Sequence, residues 1–195
     1  MDPATIGTCL FSFGMSMVVK LLKSRMRCSR ISGIVLPSKG GASTMVERLA
    51  QSDNAIILDL NNNIEMNLSE KEMEIFKSLS RQSPSFAVHI YPLLKRYVQN
   101  VKKNFPHKKI IVVGSNIKEL EYCGIKKSEI LSFIPNTEFS NIIMGALMSE
   151  TDKELFQNSR LELLLGTKEK LRNVYESYDD LQKKITAKYG LSVKI

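Results

Sequence analysis

Four short apolar runs, at residues 31–37 (ISGIVLP), 55–60 (AIILDL), 108–116 (KKIIVVGSN) and 128–136 (SEILSFIPN), each give way to an amphipathic stretch. Unbroken Ile-Val-Leu runs read as strands buried on both faces, and such strands belong in a parallel sheet whose crossover helices cover both sides. Strand, helix, strand in order implies right-handed crossovers. The expected fold class is therefore α/β: three-layer, with a mostly parallel sheet containing 31–36, 55–60, 109–114 and 129–134.

The intervening stretches predict helices at 42–50, 69–80, 92–104, 137–149, 151–165 and 168–189, with a last short strand at 190–195. Met45, Val46 and Leu49 form one apolar stripe. Ser69 and Glu72 have the spacing of a capping box, in which each satisfies a backbone N–H of the other. Pro92 is taken as the first residue of its helix, where a missing N–H costs nothing. The run 168–189 is read as one helix from Leu171, Val174, Tyr178, Leu181 and Ile185.

At 195 residues and 43% hydrophobic composition, the chain can bury one sizeable core. A chain of this length typically buries roughly 70% of its unfolded surface. Cys9, Cys28 and Cys123 are far apart and odd in number, and with His89 and His107 they show no metal-ligand spacing, so a disulfide scaffold and a zinc module are both excluded. A reducing compartment, cytoplasmic or otherwise intracellular, is expected. Neither histidine has an evident partner for general base work, and Ser115 lies outside a nucleophile-elbow motif.

The net charge of +8 is unevenly distributed. Residues 3–19 carry no charge, and Lys20, Lys23, Arg25, Arg27 and Arg30 follow at once. Two parts are expected: an apolar and basic N-terminal segment, 1–30, and an α/β domain, 31–195. The five basic residues are the expected polyanion-binding set, with nucleic acid, an anionic membrane surface, or protein assembly through 1–30 as the partner classes. The apolar stretch is short for a spanning helix and contains Gly7, Ser12, Gly14 and Ser16, so a packed or interfacial helix is the preferred reading.

A parallel sheet binds ligands at the carboxyl ends of its strands, which directs attention to the loop after the first strand, LPSKGGAST, residues 36–44. A phosphate loop has the pattern GxxxxGK[ST]: glycines let backbone N–H groups wrap phosphates, the lysine reaches the outer phosphates and the hydroxyl holds magnesium. Aligned on its second glycine, this chain has Leu36 for the first glycine, Gly41 for the second, Ala42 for the lysine and Ser43 for the hydroxyl. The glycine pair Gly40 and Gly41, the hydroxyl pair Ser43 and Thr44, and a nearby Lys39 stand between strand and helix.

In this loop, and in a second strand ending at Asp59, the chain resembles the P-loop kinase-like superfamily. The order of elements over 31–195 is closest to the small-molecule and nucleoside monophosphate kinases. The resemblance implies ATP or GTP with magnesium as the ligand. It makes Lys39, Gly40, Gly41, Ser43 and Thr44 the nucleotide-binding residues, Ser43 and Asp59 the metal-holding pair, and Asp59 and Arg160 the catalytic residues, with Arg160 as the natural lid arginine. Ala42 in place of the loop lysine departs from the pattern and removes the most distinctive charge of a phosphotransfer site.

Two function classes follow. The preferred one is a degenerate P-loop nucleotide- or phosphate-binding protein with weak or no phosphotransfer. The alternative is an active small-molecule or nucleotide kinase using Lys39, Ser43 or Thr44, Asp59 and Arg160. Heavy use of Ile, Lys and Asn points to an AT-rich genome and fits a viral, virion-associated protein built on a recruited enzyme fold.

Overall fold

The computed structural model describes residues 31–50, 52–60, 69–72, 74, 84–168 and 172–191. Five strands form one sheet: β1 (Ile31–Val35), β2 (Ala55–Asp59), β3 (Lys109–Gly114), β4 (Ile130–Pro135) and β5 (Arg172–Tyr175). Their order is β2-β3-β1-β4-β5 and every pairing is parallel. Six helices are described with them: α1 (Ala42–Leu49), α2 (Pro84–Asn104), α3 (Ile117–Tyr122), α4 (Thr137–Ala146), α5 (Glu150–Gly166) and α6 (Tyr178–Tyr189). The three-layer, parallel α/β architecture expected from the apolar runs is present.

The runs are apolar throughout because successive strand residues serve opposite layers. Ile34, Ile57, Ile111 and Phe133 pack with Met45 and Leu49 of α1, Phe139 and Ile143 of α4, and Leu181 and Ile185 of α6. Their chain neighbours Val35, Leu58, Val112 and Ile134 pack on the other side with Ile90, Leu94 and Val98 of α2, Leu120 of α3 and Leu163 of α5. α5 serves both layers, since Phe156 joins the first cluster and Leu163 the second. β1 is central, paired to β3 on one side and β4 on the other, so the loop leaving it emerges at the middle of the sheet.

Three expectations need correction or comment. α2 begins at Pro84 rather than Pro92, which lies inside it. Pro92 sits on the exposed face, so the helix bond it cannot make is lost where water can take the freed carbonyl. The single helix expected over 168–189 is instead β5 followed by α6. Its apparent periodicity counted Val174 as buried, whereas Val174 is 48% exposed and Tyr175 is fully buried. Ser177 resets the chain into a helix: its Oγ accepts from the Asp180 N–H, while Asp180 accepts from the Glu176 N–H. Of the strand expected at 190–195, Gly190 takes a left-handed conformation that ends α6, and 192–195 lie outside the described residues.

The capping box at Ser69 and Glu72 forms in both directions. Most of the helix expected over 69–80 lies outside the described residues, as do residues 1–30 with Lys20, Lys23, Arg25, Arg27 and Arg30. Among the described residues no helix is long and apolar enough to cross a membrane.

Candidate functional site

The loop from Leu36 to Gly41 joins the end of β1 to the start of α1. Its first end is anchored by the sheet: the Leu36 N–H donates to the Gly114 carbonyl at 3.0 Å, and Pro37 is buried. The Gly40 N–H donates to the Pro37 carbonyl at 2.8 Å, closing a four-residue turn whose third residue, Lys39, has φ 61°. A positive φ at the third position defines a turn of the second type and costs a residue with a Cβ on the order of 1 kcal/mol.

Gly41 follows with φ 90° and forms the N-terminal boundary of α1. A Cβ there would lie 2.2 Å from the Tyr178 ring, so only glycine fits. Ser43 projects from the first turn of α1 and donates to Asp59 Oδ2 at 3.3 Å. Asp59 ends β2 and is 1% exposed. The two residues expected to share a metal are thus side by side, although they are sixteen positions apart in sequence. Thr44 lies exposed on the same helical turn.

Lys39 does not hang free over the loop; its Nζ lies 3.1 Å from Asp152 on α5. The same helix secures the loop a second time, because the Ser38 N–H donates to Ser159 Oγ at 2.8 Å. Ser159 in turn donates to the Phe156 carbonyl. Asp152, Phe156 and Ser159 recur at helical spacing, so one face of α5 lies on the loop. Arg160 follows; its Nε donates to the Pro135 carbonyl at 3.4 Å, at the end of β4.

Two tyrosines complete the enclosure. The buried Tyr175 hydroxyl donates to the Gly40 carbonyl at 3.4 Å. Burial pushes its ionisation well above the ordinary range, the neighbouring Tyr178 adds to this, and the Arg160 charge opposes it; Arg160 meets the Pro135 carbonyl, and Pro135 is the register partner of Tyr175. Tyr178 covers Gly41 and meets Phe139 edge-on at 5.1 Å. Asp152, Ser159, Tyr175 and Tyr178 were not legible as site residues. They reach the loop from more than a hundred positions away, with no motif to mark them.

Chemically, the loop end offers a helix N-terminus, a hydroxyl and a carboxylate. The first-turn N–H groups of a helix have no intrahelical acceptor and carry partial positive charge. No acidic residue stands in the first turn of α1 to neutralise that field. Part of the loop's donor capacity is spent elsewhere: Pro37 has no N–H, Ser38 gives its own to Ser159 and Gly40 gives its own to Pro37. Among the described residues, no group of three His, Cys, Asp or Glu side chains is placed to hold a metal. Ser43 and Asp59 supply two oxygens, a donor set that suits magnesium only if water and ligand phosphate complete the octahedron. An open cleft of about 540 Å³ lined by Arg172, Asn173, Val174, Lys184, Ala187 and Lys188 lies at the outer edge of β5, apart from the loop.

The strand order, the parallel pairing and the loop at the end of β1 define a P-loop kinase-like fold, and solved structures of that fold match this one. A tunicamycin resistance protein from Deinococcus radiodurans superposes with a TM-score of 0.54 at 16% identity, covering 86% of this chain and 99% of that one. A thymidylate kinase from Candida albicans gives 0.51 at 10% identity, covering 86% and 99%. A shikimate kinase from Acinetobacter baumannii gives 0.50 at 15% identity, covering 86% and 97%. At these identities the likeness establishes the fold. No protein-family model matches the sequence, and no curated protein matches it either.

Proposed function

We propose that the protein binds a phosphate-bearing ligand, a nucleotide with magnesium, at the loop 36–44, and transfers phosphoryl groups slowly or not at all. The observation that carries this reading is the Ser43–Asp59 contact at the start of α1, beside a left-handed Gly41. A helix N-terminus with a hydroxyl and a carboxylate at its mouth suits a phosphate with a magnesium ion. Kinases are among the proteins of the same fold, which supports the ligand class in general.

The low transfer rate follows from charge. Phosphoryl transfer is catalysed by positioning and by neutralising the outer phosphates. Ala42 contributes no ammonium, Lys39 is held by Asp152, and Arg160 bonds the Pro135 carbonyl. When bound, magnesium would neutralise phosphate charge. This chain's residues would orient the phosphates on the N–H groups of α1, hold the ion's coordination shell through Ser43 and Asp59, and exclude water on the Tyr178 side.

The alternative, an active kinase of small molecules or nucleotides, is favoured by the position of Arg160 on Pro135, whose register partner Tyr175 bonds the loop at Gly40. Two measurements on the full chain separate the readings. Calorimetric titration with ATP or GTP and magnesium is expected to show binding that Asp59→Asn weakens. Steady turnover abolished by the same substitution would establish the kinase, and an absence of binding to either nucleotide would remove both readings.

A further inference from the structure

All five strands are parallel, so the protein has two unlike ends: the carboxyl end, which carries the phosphate loop, and the end at which the strands enter. The charges divide between them. The loop end carries the first turns of α4, α5 and α6, with Glu138, Glu150, Asp152, Asp179 and Asp180, which outnumber Lys39, Lys118 and Lys153 there. The strand-entry end carries Lys102 and Lys103 in the last turn of α2, Lys108 just before β3, and Lys126 and Lys127 just before β4. Among the described residues, the acids towards this end are Asp53, Glu121 and Glu129, with Glu47 in the last turn of α1 and Glu162 near the end of α5.

Helix dipoles account for part of this pattern, since acids favour helix starts and bases favour helix ends. They account for Lys102 and Lys103. They do not account for Lys108, which lies in a turn, or for Lys126 and Lys127, which lie at the start of a single turn of tight helix leading into β4. None of these five lysines takes part in an ion pair among the described residues. Those that form, at Lys39, Arg48, Arg96, Lys153 and Lys184, lie elsewhere.

Register places the lysines around one point. Ile31 pairs with Ile110, two residues beyond Lys108, and Gly33 pairs with Ile130, three beyond Lys127. The entry of the central strand is therefore flanked by lysines on both sides. Phe105 is 45% exposed at this same end, between Lys103 and Lys108.

We propose that the strand-entry end is a docking surface for an anionic bilayer, with Lys102, Lys103, Lys108, Lys126 and Lys127 on the headgroups, Phe105 at the interface and the phosphate loop facing solvent. Charge complementarity supplies the attraction, and the acidic loop end fixes the orientation by repulsion. A lipid surface is favoured over a nucleic acid because the exposed Phe105 gains nothing from a duplex backbone, whereas it gains from an interface.

The test is flotation of the full chain with vesicles of phosphatidylcholine alone or mixed with phosphatidylserine. Binding is expected only to the mixed vesicles, and is expected to fall as salt shortens the screening length from about 10 Å at 0.1 M to about 3 Å at 1 M. Replacing Lys103, Lys108 and Lys127 with Gln is expected to lower partitioning by about a hundredfold, at about fivefold per lysine. A charge-matched triple of Lys95→Gln, Lys118→Gln and Lys183→Gln, away from that end, is expected to cost less than about tenfold. Circular dichroism melts verify that both triples are folded. Equal losses in the two triples, equal binding to uncharged vesicles, no flotation of the parent chain, or preferential binding of duplex RNA through the same three lysines would each overturn the proposal.

Discussion

Gly41 and Gly124 form a natural pair for testing the loop geometry. Their φ angles are 90° and 87°, so replacing either by alanine imposes the same left-handed strain, about 1–2 kcal/mol. Their surroundings differ. A Cβ on Gly124 meets nothing within 4 Å, whereas one on Gly41 falls 2.2 Å from the Tyr178 ring. That ring must move, giving up its edge contact with Phe139 and its seat against α1. Displacing a packed side chain costs about 1–3 kcal/mol, and a lost aromatic pair accounts for about 0.5–1.5 kcal/mol of that. Gly124→Ala is therefore expected to destabilise by about 1–2 kcal/mol, and Gly41→Ala by about 2–5 kcal/mol. Urea denaturation of both variants measures the difference, and the strain cancels in it. In a Tyr178→Ala background the excess should vanish, leaving Gly41→Ala close to Gly124→Ala. Equal destabilisation by the two single substitutions, or an excess that persists without Tyr178, would refute the placement of Tyr178 on the loop.

Other consequences follow from the same structure. Ala42→Lys puts an ammonium at the start of α1 and is expected to tighten nucleotide binding about tenfold by calorimetry, as befits one added charge-assisted hydrogen bond; unchanged affinity would mean that the loop is not shaped around phosphate. Asp152→Asn releases Lys39 from an exposed ion pair worth at most about 1 kcal/mol, so anion affinity should rise by up to about fivefold, and a decrease would show that Asp152 assists binding. The Ser69 backbone N–H, the Arg96 guanidinium and the Ser69 hydroxyl together lower the Glu72 carboxyl from 4.5 to about 2. A depressed folded-state value means that its contribution is complete above 4.5 and is lost as pH falls towards 2, and a Glu72→Gln chain should lack that part of the acid dependence. Burial, with Glu119 adding to it, pushes the Cys123 thiol up to about 12. In a chain carrying Cys9→Ser and Cys28→Ser, alkylation at neutral pH should therefore be slow until urea unfolds the protein, and rapid labelling of the native chain would place Cys123 at the surface.

The strands were legible because each is long enough to show an unbroken apolar run, and double-sided burial is a local compositional demand. The loop after β1 was singled out from the same runs, because a parallel sheet binds ligands at the carboxyl ends of its strands; its glycine pair alone would equally suit a plain strand-to-helix turn. Asp59 entered through the family resemblance instead, and the structure places Ser43 beside it and Gly41 at the start of α1. β5 escapes a sequence reading because four residues with a polar start fit the helical period of their neighbours, and only the parallel pairing of Arg172–Tyr175 with Ser132–Pro135 on β4 decides the matter. Pro92 was misread because the cost of an interior proline depends on which face of the helix it occupies, and that face is set by packing.

What the chain specifies locally is therefore its alternation of elements, its capping residues and the identity of its loop. What tertiary structure alone decides is the loop's electrostatic state. Lys39 looks like a free cation in sequence, yet α5 arrives from the far end of the chain to supply Asp152 as its counter-ion and Ser159 as the acceptor of a loop N–H. The charge division between the two ends has the same origin. Lys103, Lys108 and Lys127 are scattered in sequence, and they share a surface only because every strand of a parallel sheet starts at the same end.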